Sequence, residues 1–93
     1  MNKYQLLFII DDEIEKDAKT ALIDKFSDLI TSLDGTIDST EQWGKRTLTY
    51  PIDRKTKGYY VLINFTANAN VPAEIDRQMR INDAIMRQMI TLQ

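Results

Sequence analysis

The sequence predicts an α+β sandwich, a four-stranded antiparallel sheet with two helices on one face, in the order β-α-β-β-α-β. Three observations carry this reading. Residues 3–10 and 59–66 alternate a wholly or nearly apolar set with a more polar one, as strands covered on one face do. Residues 14–33 instead repeat apolar side chains at helical spacing. The 93 residues suffice for one modest core, so residues 1–93 are expected to form a single domain in which nearly every apolar face is used.

The first element is "KYQLLFII", residues 3–10. Tyr4, Leu6, Phe8 and Ile10 share one apolar face, and Lys3, Gln5, Leu7 and Ile9 share a mixed one. That pattern fits a central strand with one face covered. A helix follows. Asp12 and Glu15 have the spacing of a capping box, and the acidic first turn suits the helix dipole. Ile14, Ala18, Ala21, Leu22, Phe26, Leu29, Ile30 and Leu33 are expected on its buried side, with Gly35 as the stop. Residues 36–50 read as a long strand bent at Gly44 and ended by Pro51. "IDRKTKG", residues 52–58, reads as a loop too long for a tight hairpin, carrying Arg54, Lys55 and Lys57. Residues 59–66 form the third strand. Pro72 marks the start of a short helix whose buried side holds Ile75 and Met79, and residues 85–92 close the chain as a strand. This order defines the ferredoxin-like sandwich, with the first and third strands central, the second and fourth at the edges, and one sheet face open.

Composition excludes several function classes. There is no cysteine, so disulfides, thiolate metal sites and cysteine nucleophiles are ruled out. There is no histidine, the commonest general base. The longest apolar run, Leu6–Ile10, is far too short to span a membrane, and the first residues lack the apolar stretch of a signal peptide. A cytoplasmic protein is expected, with no membrane contact. The net charge of −2 conceals an asymmetry. Residues 1–44 hold four lysines against ten carboxylates, −6, whereas residues 45–93 hold eight basic residues against four acidic ones, +4. Such a molecule can offer a basic surface to phosphate despite an acidic pI.

The third strand opens with "KGYY", which resembles the aromatic strand of an RNA-recognition motif. Phasing argues against that role. Tyr59, Val61, Ile63 and Phe65 form the apolar set and should face the helices, which leaves Tyr60, Leu62 and Asn64 on the open face with Leu7 and Ile9. Such a patch suits a protein partner, though its one ring could rest on RNA.

No other constellation points to chemistry. The carboxylates sit mostly on the first helix as a solvated face, and the three glycines form no phosphate loop, so neither catalysis nor a cofactor is expected. On the edge strand "EQWGKRTLTY", Glu41, Lys45 and Arg46 can serve simply to block edge-to-edge pairing. Trp43 beside them suits either a binding anchor or ordinary packing. Arg77, Arg80 and Arg87 can pair locally with Glu74, Asp76 or Asp83, or can meet RNA phosphate.

"KRTLTYPI" (45–52), "KGYYVLINF" (57–65) and "MRINDAIMRQMI" (79–90), in this order and spacing, resemble the bacterial small-subunit ribosomal protein S-six family over essentially the whole chain. The resemblance implies a ferredoxin-like domain without catalysis. It implies binding to the central, or platform, domain of small-subunit ribosomal RNA beside a protein partner, the eighteenth small-subunit protein. It makes Lys3, Arg80 and Arg87 candidates for RNA phosphate. Trp43, Lys45, Arg46, Leu48 and Tyr50 become candidates for the partner side, joined by the open-face residues Tyr60 and Leu62. Isolated, the protein is expected to be a monomer. Some members carry a C-terminal tail, and a contact made through such a tail is not carried over to this sequence, which runs to Gln93. The alternative reading is a ferredoxin-like regulatory or dimerisation module that binds a small ligand or itself through the open sheet.

Overall fold

The computed structural model describes residues 1–52 and 55–93, without the side chains of Thr49, Pro51 and Ile52. The elements run β1 (Asn2–Asp11), α1 (Lys16–Ser32), β2 (Thr36–Ile52), β3 (Lys55–Ala67), α2 (Val71–Arg80) and β4 (Ile85–Leu92). The strands form one antiparallel sheet in the order β2-β3-β1-β4. The expected ferredoxin-like sandwich is therefore present, with β1 and β3 central and β2 and β4 at the edges.

Side-chain alternation places the core. Tyr4, Leu6, Phe8 and Ile10 of β1 and Val61, Ile63 and Phe65 of β3 are buried under Ile23, Phe26 and Ile30 of α1 and Val71, Ile75 and Met79 of α2. Tyr4 stacks on Phe65 with ring centroids 5.4 Å apart, and Phe8 meets Phe26 at 6.1 Å. Burying one large apolar side chain contributes about 1.5–3 kcal/mol, so the helix–sheet contact rests on the whole set, aliphatic and aromatic.

Four local expectations are corrected. The buried side of α1 includes Ile23, three residues before Phe26 and seven before Ile30, whereas Ala18 and Ala21 are exposed. Alanine adds little burial, so the larger Ile sets how the helix is turned. The capping box is absent. Glu15 is the N-cap and makes no side-chain cap bond, while the Asp12 carboxylate accepts a hydrogen bond from Lys19 and pairs with Lys45. At the other end, Asp34 rather than Gly35 is left-handed, with φ 65°. Gly35 is needed for space: a Cβ there would lie 2.8 Å from the Ile30 carbonyl oxygen, to which the Gly35 N–H donates at 2.9 Å.

The fourth correction concerns the hairpin. Pro51 does not end β2, which runs to Ile52, and β3 begins at Lys55 rather than residue 59. Ile52 is the register partner of Lys55, so most of the expected 52–58 loop is strand; residues 53 and 54, including the expected Arg54, lie outside the described residues. An edge strand tolerates proline because a missing N–H on its outer side breaks no ladder. β1 stops opposite Gly58, so the two strands continue past it as a ribbon.

The bend at Gly44 is a β-bulge. Gln42 pairs with Val61 and Gly44 with Tyr60, leaving Trp43 as the extra residue, and Gly44 supplies a φ of 83° that a side chain would resist. In α2, Pro72 occupies the first turn, as its fixed φ favours.

Candidate nucleic-acid interface

The face of the sheet away from the helices is built from the odd positions of β1, residues 87, 89 and 91 of β4, and the even positions of β3. Register aligns them in rows. Arg87, Ile9 and Tyr60 form one row, which ends at the Gly44 bulge of β2. Met89, Leu7, Leu62 and Glu41 form the next. Thr91, Gln5 and Asn64 follow, and Asn64 donates to Ser39 Oγ at 2.8 Å while accepting from Gln93 at 3.2 Å. The face is thus apolar through its middle and hydrogen-bonded at one end.

The other end carries rings and guanidinium groups. Trp43 lies nearly parallel to Tyr60, with centroids 6.4 Å apart and planes 11° apart. The Arg46 guanidinium lies 5.1 Å from the Trp43 ring centroid, a cation–π distance. Beyond Tyr60, toward β1 and β4, a groove of about 500 Å³ is lined by Leu7, Ile9, Tyr60, Arg87 and Met89 among others. Gly58 lets this face close up: Ile9 and Leu48 pack over it, where a Cβ would stand.

The sequence-derived candidates divide accordingly. Trp43, Arg46, Leu48, Tyr60, Leu62 and Arg87 share the open face. Leu48 and Leu62 are only 8% exposed, so they support the surface more than they present it, while Trp43 is 39% exposed and Tyr50 74% exposed. Lys3 is exposed near the start of β1, opposite Thr66. Lys45 turns to the helix side, 3.2 Å from Asp12, beside Lys19 and Tyr59. Arg80 lies on α2 and donates to Asp76 at 2.7 Å, so it does not join Arg87 on one surface. Arg77 likewise binds Glu74, at 2.6 Å. Two of the three arginines are thus locally paired; among the described residues Arg87 makes no ion pair. Met89 was not among the candidates, although its two-residue offset from Arg87 on β4 is the signal that places it on the same face.

Two sets of charges are perturbed. Arg77 and Gln78 hydrogen bonds hold the Glu74 carboxyl down at about 2, and the same pairing raises Arg77. At the end of β1, the Lys55 ammonium bound to Asp11 lowers that carboxyl and is itself raised. Partial burial opposes ionisation of Asp12, yet hydrogen bonds from Lys19 and Lys45 outweigh it and lower its pKa.

Taken together, these features define a ferredoxin-like domain with an uncovered sheet, apolar in the middle and cationic at two flanks. Comparison with known proteins then narrows the class. The family model described as "Ribosomal protein S6" matches residues 3–91. The "Small ribosomal subunit protein bS6" of Alkaliphilus oremlandii is 44% identical over 90 residues, covering 97% of this chain and 95% of that protein. That of Clostridium botulinum strain 657 is 40% identical over 93 residues, covering 100% and 99%. A crystal structure of the 30S ribosomal protein S6 from Thermotoga maritima superposes with a TM-score of 0.95 at 24% identity, covering 99% of this chain and 87% of that one, and so agrees in fold. The chain belongs to the ribosomal protein S6 family.

Proposed function

We propose that this protein is a structural, non-catalytic component of the small ribosomal subunit. It binds the platform domain of small-subunit ribosomal RNA together with the eighteenth small-subunit protein, and is a monomer when isolated. Membership of the family supports the ribosomal setting. The observation that carries the mechanism is the uncovered sheet face, whose apolar middle is flanked by Arg46 and Arg87. Apolar surface of this kind suits a protein partner, and guanidinium groups suit phosphate.

In this mechanism Trp43, Arg46, Tyr50 and Tyr60 meet the partner, with Leu48 and Leu62 beneath them. Lys45 reaches the partner only by leaving Asp12. Lys3 and Arg87 meet RNA phosphate, and Arg80 does so when released from Asp76. The domain and its partner then present one basic surface to a folded RNA junction. With a net charge of −2 and few phosphate contacts, the domain alone binds RNA weakly. A gel-shift titration with platform RNA tests this. Weak binding by the isolated protein, strengthened by the partner, is expected; tight binding without the partner contradicts cooperative docking.

A further inference from the structure

We propose that the open-face groove beside Tyr60 is a slot for one unpaired nucleobase of the bound RNA. This rests on the RNA-binding reading above and adds a base contact to its phosphate contacts, leaving the partner the Trp43 side of Tyr60 and the base the groove side.

The geometry builds the slot in layers. Arg46, Trp43 and Tyr60 form a stacked series entering from β2. Trp43 covers the side of Tyr60 nearer that edge. Tyr60 also lines the groove on its other side, toward β1 and β4. The series therefore ends on a Tyr60 surface that lines the groove. Across the groove stands Arg87. Tyr60 and Arg87 are both register partners of Ile9, so two strand spacings, about 10 Å, separate their backbones. A planar base between a ring and a guanidinium needs two stacking distances, about 7 Å at the 3.4 Å repeat of stacked bases. The backbones thus stand far enough apart for the two side chains to take a base between them. Ile9 and Leu7 form the floor and Met89 the adjoining wall.

The lining also selects the occupant. Among the named lining residues there is one cation, Arg87, and no carboxylate. A nucleotide brings both parts that this arrangement fits, a π-face for Tyr60 and a phosphate for Arg87. An aromatic side chain of a protein would fill the slot but leave the guanidinium without an anion. The same comparison separates this slot from the RNA-recognition pattern considered for "KGYY": the ring that stacks is Tyr60, and Tyr59 stays on the helix side, bonded to Gln42 at 2.7 Å.

The test is methyl NMR of the full chain titrated with a single-stranded pentaribonucleotide, five uridines with adenine at the centre, and with the same oligomer abasic at the centre. The base should shift the methyl signals of Leu7, Ile9 and Met89 through its ring current, downfield for the floor methyls that meet its edge, and the abasic oligomer should not. Removing the base should weaken binding about ten-fold, within the range seen for base–aromatic stacking. Tyr60→Phe should keep these shifts; Arg87→Ala should reduce them. If both oligomers perturb only Lys3 and Arg87 and bind equally, the slot is wrong and the phosphate reading stands. If neither perturbs the face, both are wrong. If the same methyl signals shift as protein concentration rises without RNA, a second copy fills the groove and the nucleobase proposal fails.

Discussion

A Cβ at Gly58 would overlap Ile9 Cγ2 and lie 3.3 Å from Leu48 Cδ2. The neighbour in the way is a β-branched side chain packed at 7% exposure, with little freedom to move. Gly58→Ala is therefore expected to destabilise the fold by about 1–3 kcal/mol through overpacking. Urea unfolding should show a lower midpoint with an unchanged slope. This glycine stood in the sequence as part of a base-stacking pattern; its physical reason is instead the close approach of β1 and β2 side chains across β3. Spacing along one strand does not reveal what crosses it from two others. Glu74 gives a second test at this scale. Its pKa is lowered from 4.5 to about 2, so its contribution to stability is complete above pH 4.5 and is lost as the pH falls toward 2. Because the pair is on the surface, that contribution is small and salt-sensitive. Carboxyl NMR should place the Glu74 midpoint near 2 in the native chain and return it toward 4.5 in Arg77→Ala.

At the scale of elements, charges fasten the β2–β3 ribbon to the end of β1. Asp12 joins Lys19 of α1, at 3.0 Å, to Lys45 of β2, at 3.2 Å, and Asp11 holds Lys55 of β3, which also reaches Glu13 at 3.3 Å. Both aspartates have folded-state pKa values below 3.8. The stabilisation they give is present above that value and fades as pH drops through the lowered ones. Asp12→Asn should lower the Tm at pH 7, and the gap from the native chain should narrow as the pH falls through the lowered pKa of Asp12. A gap independent of pH would remove this clasp from the account. These pairings also mark where reading the chain element by element stops. β1 and α2 were legible because their alternation or helical spacing is unbroken, and β4 because a bulge displaces only the start of its pattern, at Ile85. The β2–β3 ribbon was not, because Pro51 and the run of basic residues after it carry the signals of a loop while the ladder continues past them. Asp12 read as a cap because its partners Lys45 and Lys19 come from other turns of the chain.

For the whole molecule, layering decides which charges matter. The sequence asymmetry of −6 and +4 suggested a basic half, but Arg77, Arg80, Lys45 and Lys55 are held by nearby carboxylates. Arg46 and Arg87 remain on the open face, one stacked on Trp43 and one beside the groove. The open face itself was legible from the parity of Tyr60, Leu62, Leu7 and Ile9. The bend at Gly44 was legible too, but not its consequence that Trp43 turns onto this face, since one inserted residue shifts every later position of an edge strand. The proposed function has this face, through Arg87, hold RNA phosphate within a complex shared with a protein partner. Its most direct test is the salt dependence of platform-RNA binding by native and Arg87→Ala protein, each with the partner. The variant should bind more weakly at every salt concentration, with the slope of log K against log salt reduced by about 1. Parallel lines for the two proteins would contradict the claim.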